Sequence, residues 1–171
     1  DRPARATPDA ALAFLSGGSP EPVFVWGHYW EPHHPYDPPE PFRTRYAAAP
    51  YLGEIAAMDE QLGRLVEGFG RLAPGPRAII VAGDHGEGLG DHGESLHGNL
   101  LYQSTMRVPL VLVGPGVEAG TTAVPVSIRR IYHTLLDLAG LDAADSLRGG
   151  AAGVVLGAAM KPYLEYGWQP Q

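Results

Sequence analysis

Three short runs decide what this chain can fold into: Val23-Phe24-Val25-Trp26, Ala78-Ile79-Ile80-Val81-Ala82 and Val108-Pro109-Leu110-Val111-Leu112-Val113. Each is apolar at every position rather than at alternate ones, so each predicts a strand buried on both faces. Amphipathic stretches lie between and around them. Tyr51 to Leu72 places Leu52, Ile55, Met58, Leu62, Leu65, Val66 and Phe69 at three- and four-residue steps, the pattern of a helix with one apolar side. Thr7-Pro8-Asp9 predicts an N-cap and an N1 proline for a short helix that Gly17-Gly18 stops, and Ile128 to Ala139 predicts another ended by Gly140. Alternating strands and helices of this kind imply an α/β fold, a mostly parallel sheet flanked by helices. Chemistry in such sheets sits at the carboxyl ends of strands. Two of those ends open into histidine-bearing loops: Trp26-Gly27-His28 and Gly83-Asp84-His85.

A length of 171 residues predicts one domain with a core of its own. There is no cysteine, which excludes disulfides, thiolate metal sites and a cysteine nucleophile on this stretch. Twelve basic residues against 19 acidic ones give a net charge of -7 with no basic block, so a nucleic-acid partner is not expected. The apolar runs are far too short to span a bilayer, and no basic stretch leading into an apolar one opens the chain. It begins at Asp1 rather than methionine, which reads as a processed or excised piece. Residues 142–171 carry Gly-Gly and Ala-rich stretches without a period and read as weakly specified connections.

Six of the seven histidines fall in two windows. His28, His33 and His34 lie in a loop from His28 to Pro50 crowded with Pro32, Pro35, Pro38, Pro39 and Pro41, through which no regular element is expected to run. His85, His92 and His97 lie in a glycine-rich loop from Asp84 to Gly98. His133 sits among leucines in the last helix and reads as a core or surface histidine. Asp84-His85 offers one divalent cation a hard oxygen and a borderline nitrogen, and Gly83 and Gly86 let the backbone bend so that both side chains converge. The bland alternative is an aspartate capping the next turn beside a solvent-facing histidine. A second Asp-His-Gly-Glu, Asp91 to Glu94, lies mid-loop, where Asp91 and His92 are expected to tie the loop together by hydrogen bonds. Glu87 and Glu94 are either partners of histidines or solvated charges.

These residues carry a resemblance. The loop Gly27-His28-Tyr29-Trp30-Glu31-Pro32-His33-His34-Pro35 resembles the Pro-His-x-Pro segment of sulfatases. Val81-Ala82-Gly83-Asp84-His85-Gly86-Glu87-Gly88-Leu89-Gly90-Asp91-His92-Gly93 is similar to their second metal-binding motif, and Arg107-Val108-Pro109-Leu110 to the arginine and strand that follow it. The helix around Met58-Asp59 and the run Thr134 to Gly140 match in the same order. The likeness extends to residue 141, which makes 1–171 a single segment with 142–171 weakly specified.

The resemblance implies the C-terminal half of a catalytic domain in the sulfatase branch of the alkaline phosphatase superfamily, a metal-dependent hydrolase of sulfate esters. Asp84 and His85 would ligate one divalent metal, calcium by family pattern, although the His85 nitrogen leaves manganese or zinc open. His33 would contact the ester oxygens or protonate the leaving group. His97 stands where many sulfatases carry a lysine that binds the substrate anion. A lysine offers a fixed charge, whereas histidine serves as ligand, acid or charged donor. His97 is therefore either an anion-stabilising acid in a one-metal site, which we favour, or a ligand of a second metal with His28 and His33, as in superfamily phosphodiesterases. His28 and His92 are the further second-metal or supporting candidates.

The family's nucleophile motif, Cys/Ser-x-Pro-x-Arg, is absent from these residues. The N-terminal half of the same domain is thus required, and the segment alone is expected to be inactive. The alternatives are a phosphatase, phosphodiesterase or phosphoryl transferase of the same superfamily, a non-catalytic metal-binding remnant, or a self-contained zinc hydrolase built on these histidines. The expected partner is a small anionic ester, with no transmembrane segment and, by resemblance, a periplasmic or extracellular address.

Overall fold

A computed structural model describes residues 3–19 and 22–142, together with Ala159, Lys161 and Leu164. The reading of 142–171 as weakly specified therefore falls almost entirely outside the described residues. The chain divides into two compact units, Asp1–Gly75 and Pro76–Gln171.

The first unit is helical. Helix α1 (Ala6–Ser16) has Arg5 at its N-cap and no side-chain cap. Thr7, the expected cap, instead lies in the first turn and donates its hydroxyl to the His28 carbonyl at 2.9 Å. The helix stops as expected, with Gly18 at φ 70° donating its N–H to the Leu15 carbonyl. A single turn, α2 (Phe42–Arg45), fits behind Pro41 in a loop that was expected to hold no regular element. Helix α3 (Pro50–Leu72) places Pro50 in its first turn, where the missing N–H costs no intrahelical bond.

Packing on α3 is led by its small residues. Gly53, Ala57 and Gly68 are buried together with Glu54. A Cβ at Gly68 would collide with the Leu12 methyls of α1, and one at Gly53 would meet Pro38 and Tyr46. Arg64 pairs with Asp9 across the same two helices. The large apolar side that the periodicity marks is only half covered, and Leu52 is 49% exposed.

Val23 to Trp26 does not form the predicted strand. Its backbone has no ladder partner among the described residues, and Phe24 and Trp26 are 67% and 74% exposed. An apolar run records that a segment is suited to burial, but a strand also needs a neighbour to pair with.

The second unit holds a two-stranded sheet, β1 (Ile79–Ala82) and β2 (Leu110–Val113), with α4 (Gln103–Met106) between them and α5 (Arg130–Leu138) after them. The strands pair antiparallel, Ile79 opposite Val113 and Ala82 opposite Leu110. The expected mostly parallel sheet is not seen in this pair, and uniformly apolar runs carry no information about strand direction. The consequence is local and useful. The start of β2 lies beside the end of β1, so Gly83 donates its N–H to the Pro109 carbonyl at 3.2 Å and the segment before β2 returns along the Asp84 loop. In α5, His133 is buried and Gly140 ends the helix at φ 68°. Among the described residues no helix is long and apolar enough to cross a membrane.

Candidate functional site

The candidate residues fall in two loops: His28 and His33 in the first unit, and Asp84, His85, His92 and His97 in the second. The second unit's loop leaves β1 at Gly83. Asp84 accepts the His85 N–H on Oδ1 at 3.0 Å, and its side chain is 73% exposed. His85 Nδ1 lies 2.9 Å from the Gly86 carbonyl, an oxygen that only accepts. Nδ1 therefore carries the proton, which in the neutral ring leaves the lone pair on Nε2. That lone-pair nitrogen stands 3.8 Å from Asp84 Oδ2. Two donors so spaced are both within reach of one cation whose bonds are ~2.0–2.6 Å long, so the pair fits a divalent metal as two of its ligands. Among the described residues no group of three such side chains completes a metal shell.

Gly86 fixes how closely this loop approaches its neighbours. Its N–H donates to the Thr105 carbonyl at 2.8 Å, and a Cβ at this position would drive into the Ser104 carbonyl. Neither backbone can yield without breaking that bond. Gly86→Ala is expected to cost ~1–3 kcal/mol of stability, read as a lower thermal midpoint; a midpoint within 1 °C of wild type, where ~2 °C or more is expected, would contradict the packing.

The loop brings His85, Glu87 and His97 together. The His85 and His97 rings stack at 3.8 Å with an interplanar angle of 29°. His97 Nδ1 is 3.1 Å from Glu87 Oε1, and Glu87 is buried. A buried carboxylate accepts at that nitrogen, so the ring is oriented with Nε2 as its acting atom. Glu94, also buried, accepts the N–H groups of Asn99 at 2.8 Å and Leu100 at 3.1 Å. The two glutamates left open by the sequence thus do different work: one holds a histidine, the other holds the backbone.

His92 takes a left-handed φ of 51°. Its Nδ1 lies 3.0 Å from Asp91 Oδ1, and its ring stacks on Tyr102 at 3.6 Å. These contacts tie the loop to itself. Hydrogen bonds from His92 and Ser104 hold the Asp91 carboxyl below its ordinary 3.8. A depressed carboxylate contributes stability that is present above 3.8 and lost as pH falls through the lower folded value. Asp91→Asn is therefore expected to flatten the acid limb of a thermal-midpoint profile, and an unchanged limb would refute the assignment.

In the first unit, the His33 ring lies 4.2 Å from that of Trp30, and its Nδ1 is 2.7 Å from the His34 carbonyl. That carbonyl again places the proton on Nδ1 and the lone pair of the neutral ring on Nε2. His28 is anchored through its carbonyl by Thr7. Tyr36 packs edge-on against His34 and Tyr51, as a loop-packing aromatic does. Asp37 pairs with Arg43 at 2.7 Å. Burial pushes up the Tyr29 phenol, with the Arg64 charge acting against it.

One residue of this loop's support is not picked out by the sequence pattern. Glu54 of α3, only 5% exposed, accepts the His33 N–H on Oε2 at 2.9 Å and the Asp37 N–H on Oε1 at 2.8 Å. Burial raises its carboxyl above 4.5, the two N–H donors pull it down, and Glu31 and Asp37 push it up again. The one signal in the sequence is a glutamate beside the Gly53/Ala57 stripe rather than on the charged side of the helix.

Fold and loops together define a class of protein: an α/β chain that presents an Asp-His pair at a strand end, with a carboxylate-held histidine stacked on it. The chain belongs to the sulfatase family, whose model matches residues 4–141. It is 32% identical over 99 residues to the choline-sulfatase of Rhizobium meliloti, which covers 57% of this chain and 19% of that protein. It is 32% identical over 101 residues to human arylsulfatase K, covering 58% and 19%. With the N-acetylglucosamine-6-O-sulfatase of Bacteroides thetaiotaomicron it shares 31% identity over 118 residues, 67% of this chain and 20% of that one. The chain thus spans about a fifth of the length of these relatives.

Proposed function

We propose that these residues form the C-terminal part of a metal-dependent sulfuric ester hydrolase and supply half of its active site. The observation that carries the reading is the Asp84-His85 pair, a carboxylate oxygen and a lone-pair nitrogen 3.8 Å apart, on a chain of the sulfatase family. Asp84 and His85 would hold one divalent cation, calcium by the family pattern, with manganese or zinc also compatible with the nitrogen donor. When bound, it supplies positive charge to the ester oxygens and the nucleophile.

The chain's own residues do the rest of this half's work. His97, oriented by Glu87 through Nδ1–H and protonated on Nε2 as well, directs Nε2–H at the substrate anion and offsets charge that grows on the ester oxygens. His33 passes a proton from Nε2 to the departing alcohol oxygen while its Nδ1–H stays on the His34 carbonyl. The nucleophile and further acidic ligands come from the N-terminal half of the domain. That half also completes the mostly parallel sheet and covers Phe24, Trp26, Val111 and Val113, all more than half exposed. Burying what remains exposed of each is worth about 1–2 kcal/mol, which favours that contact. The substrate is a small sulfate ester, and the address is periplasmic or extracellular.

The test is made on the complete protein carrying this segment. The expected result is kcat/KM for 4-nitrophenyl sulfate at least ~100-fold above that for 4-nitrophenyl phosphate, lost on chelation and restored by calcium. A preference for the phosphate ester, or activity indifferent to chelation, contradicts the reading.

A further inference from the structure

We infer that Glu54 is the positioning residue of His33: its buried carboxylate clamps the loop at residues 33 and 37 and so aims the His33 ring. The inference rests on the proposed role of His33 in leaving-group protonation and names a residue that role does not include.

The geometry is a two-point clamp. One carboxylate takes the backbone N–H of His33 on one oxygen, at 2.9 Å, and that of Asp37 on the other, at 2.8 Å. Between those points lies the His34 carbonyl, which receives His33 Nδ1 at 2.7 Å. The ring is thus fixed to a peptide whose ends are both fastened to α3. Trp30 closes one ring face at 4.2 Å. A lateral shift of the loop would move Nε2 with it, and catalytic proton transfer tolerates little displacement.

The choice of residue fits a two-point clamp. A glutamine offers one acceptor oxygen and would turn an NH2 toward the second N–H, so only a carboxylate satisfies both donors. That carboxylate is kept in a place that disfavours its charge, as the raised pKa records. An apolar residue at this position would leave the N–H groups of His33 and Asp37 without their acceptor, so both oxygens are needed to hold the loop.

Leaving-group dependence tests the inference, because a misaimed acid harms poor leaving groups and spares good ones. In the complete enzyme, kcat/KM is measured for phenyl sulfate and 4-nitrophenyl sulfate in wild type, Glu54→Gln and His33→Ala. The expected result is a loss of ~10-fold or more on phenyl sulfate for Glu54→Gln, with less than ~3-fold on 4-nitrophenyl sulfate, and the same pattern, deeper, for His33→Ala. Where Glu54→Gln melts below the assay temperature, Glu54→Asp is read instead; its shorter carboxylate keeps the charge and shifts the clamp, and the same selective loss is expected. Equal losses on both substrates, or none, while His33→Ala remains selective, overturn the role of Glu54 alone. A His33→Ala variant without selectivity overturns the leaving-group role of His33 and this inference with it.

Discussion

Asp84→Ala in the complete protein is expected to lower kcat/KM for a sulfate ester by ~10³-fold or more and to leave it with less than stoichiometric divalent metal. The size follows from what the side chain does. Asp84 lies two residues past the end of β1, and its Oδ2 stands 3.8 Å from Nε2 of His85. Its side chain is 73% exposed, so its removal opens no cavity and the folded state survives. Loss of activity with an unchanged thermal midpoint of the metal-free protein separates ligation from folding. Asp84→Asn keeps an oxygen and the His85 N–H bond but loses the charge, and is expected to fall between wild type and alanine. Full activity in Asp84→Ala would remove the metal reading.

His97→Ala is expected to cost ~10²–10³-fold in kcat/KM, with Glu87→Ala reproducing ~10–100-fold of it. His97 is held on two sides, by the Glu87 oxygen at 3.1 Å and by the His85 ring at 3.8 Å. Removing Glu87 frees Nδ1 to change tautomer and the ring to turn, so Nε2 is no longer aimed. Glu87→Gln retains an acceptor oxygen for Nδ1–H and is expected to lose less than Glu87→Ala. The double variant Glu87→Ala/His97→Ala should be no worse than His97→Ala, since one residue acts through the other. Additive losses would mean that Glu87 acts on its own.

Much of this was legible in the sequence where the signal is local. The three- and four-residue steps of α3, the glycines closing α1 and α5, and the apolar core of β1 all follow from neighbours within a turn or two. The histidine loops are where the sequence places them. What was not legible depends on distant partners. Strand direction is set by where the chain returns, 27 residues after β1, and the apolar runs are silent about it. Val23 to Trp26 has the composition of a strand and no described neighbour to make it one. Thr7 looks like a cap, yet a carbonyl 21 residues away claims its hydroxyl. Glu54 reads as an ordinary helix glutamate until two N–H groups 17 and 21 residues away arrive at its oxygens. Glu87 and Glu94 have the same charge and spacing, and only burial against different partners separates their roles.

The central claim is that these residues hold one half of an active site. Turnover of 4-nitrophenyl sulfate by the isolated 171-residue segment, set beside that of the complete protein with metal present, tests it most directly. The account predicts hydrolysis by the complete protein and none above the buffer blank by the segment. Appreciable turnover by the segment, lost in Asp84→Ala, would contradict it and make the segment an enzyme in its own right.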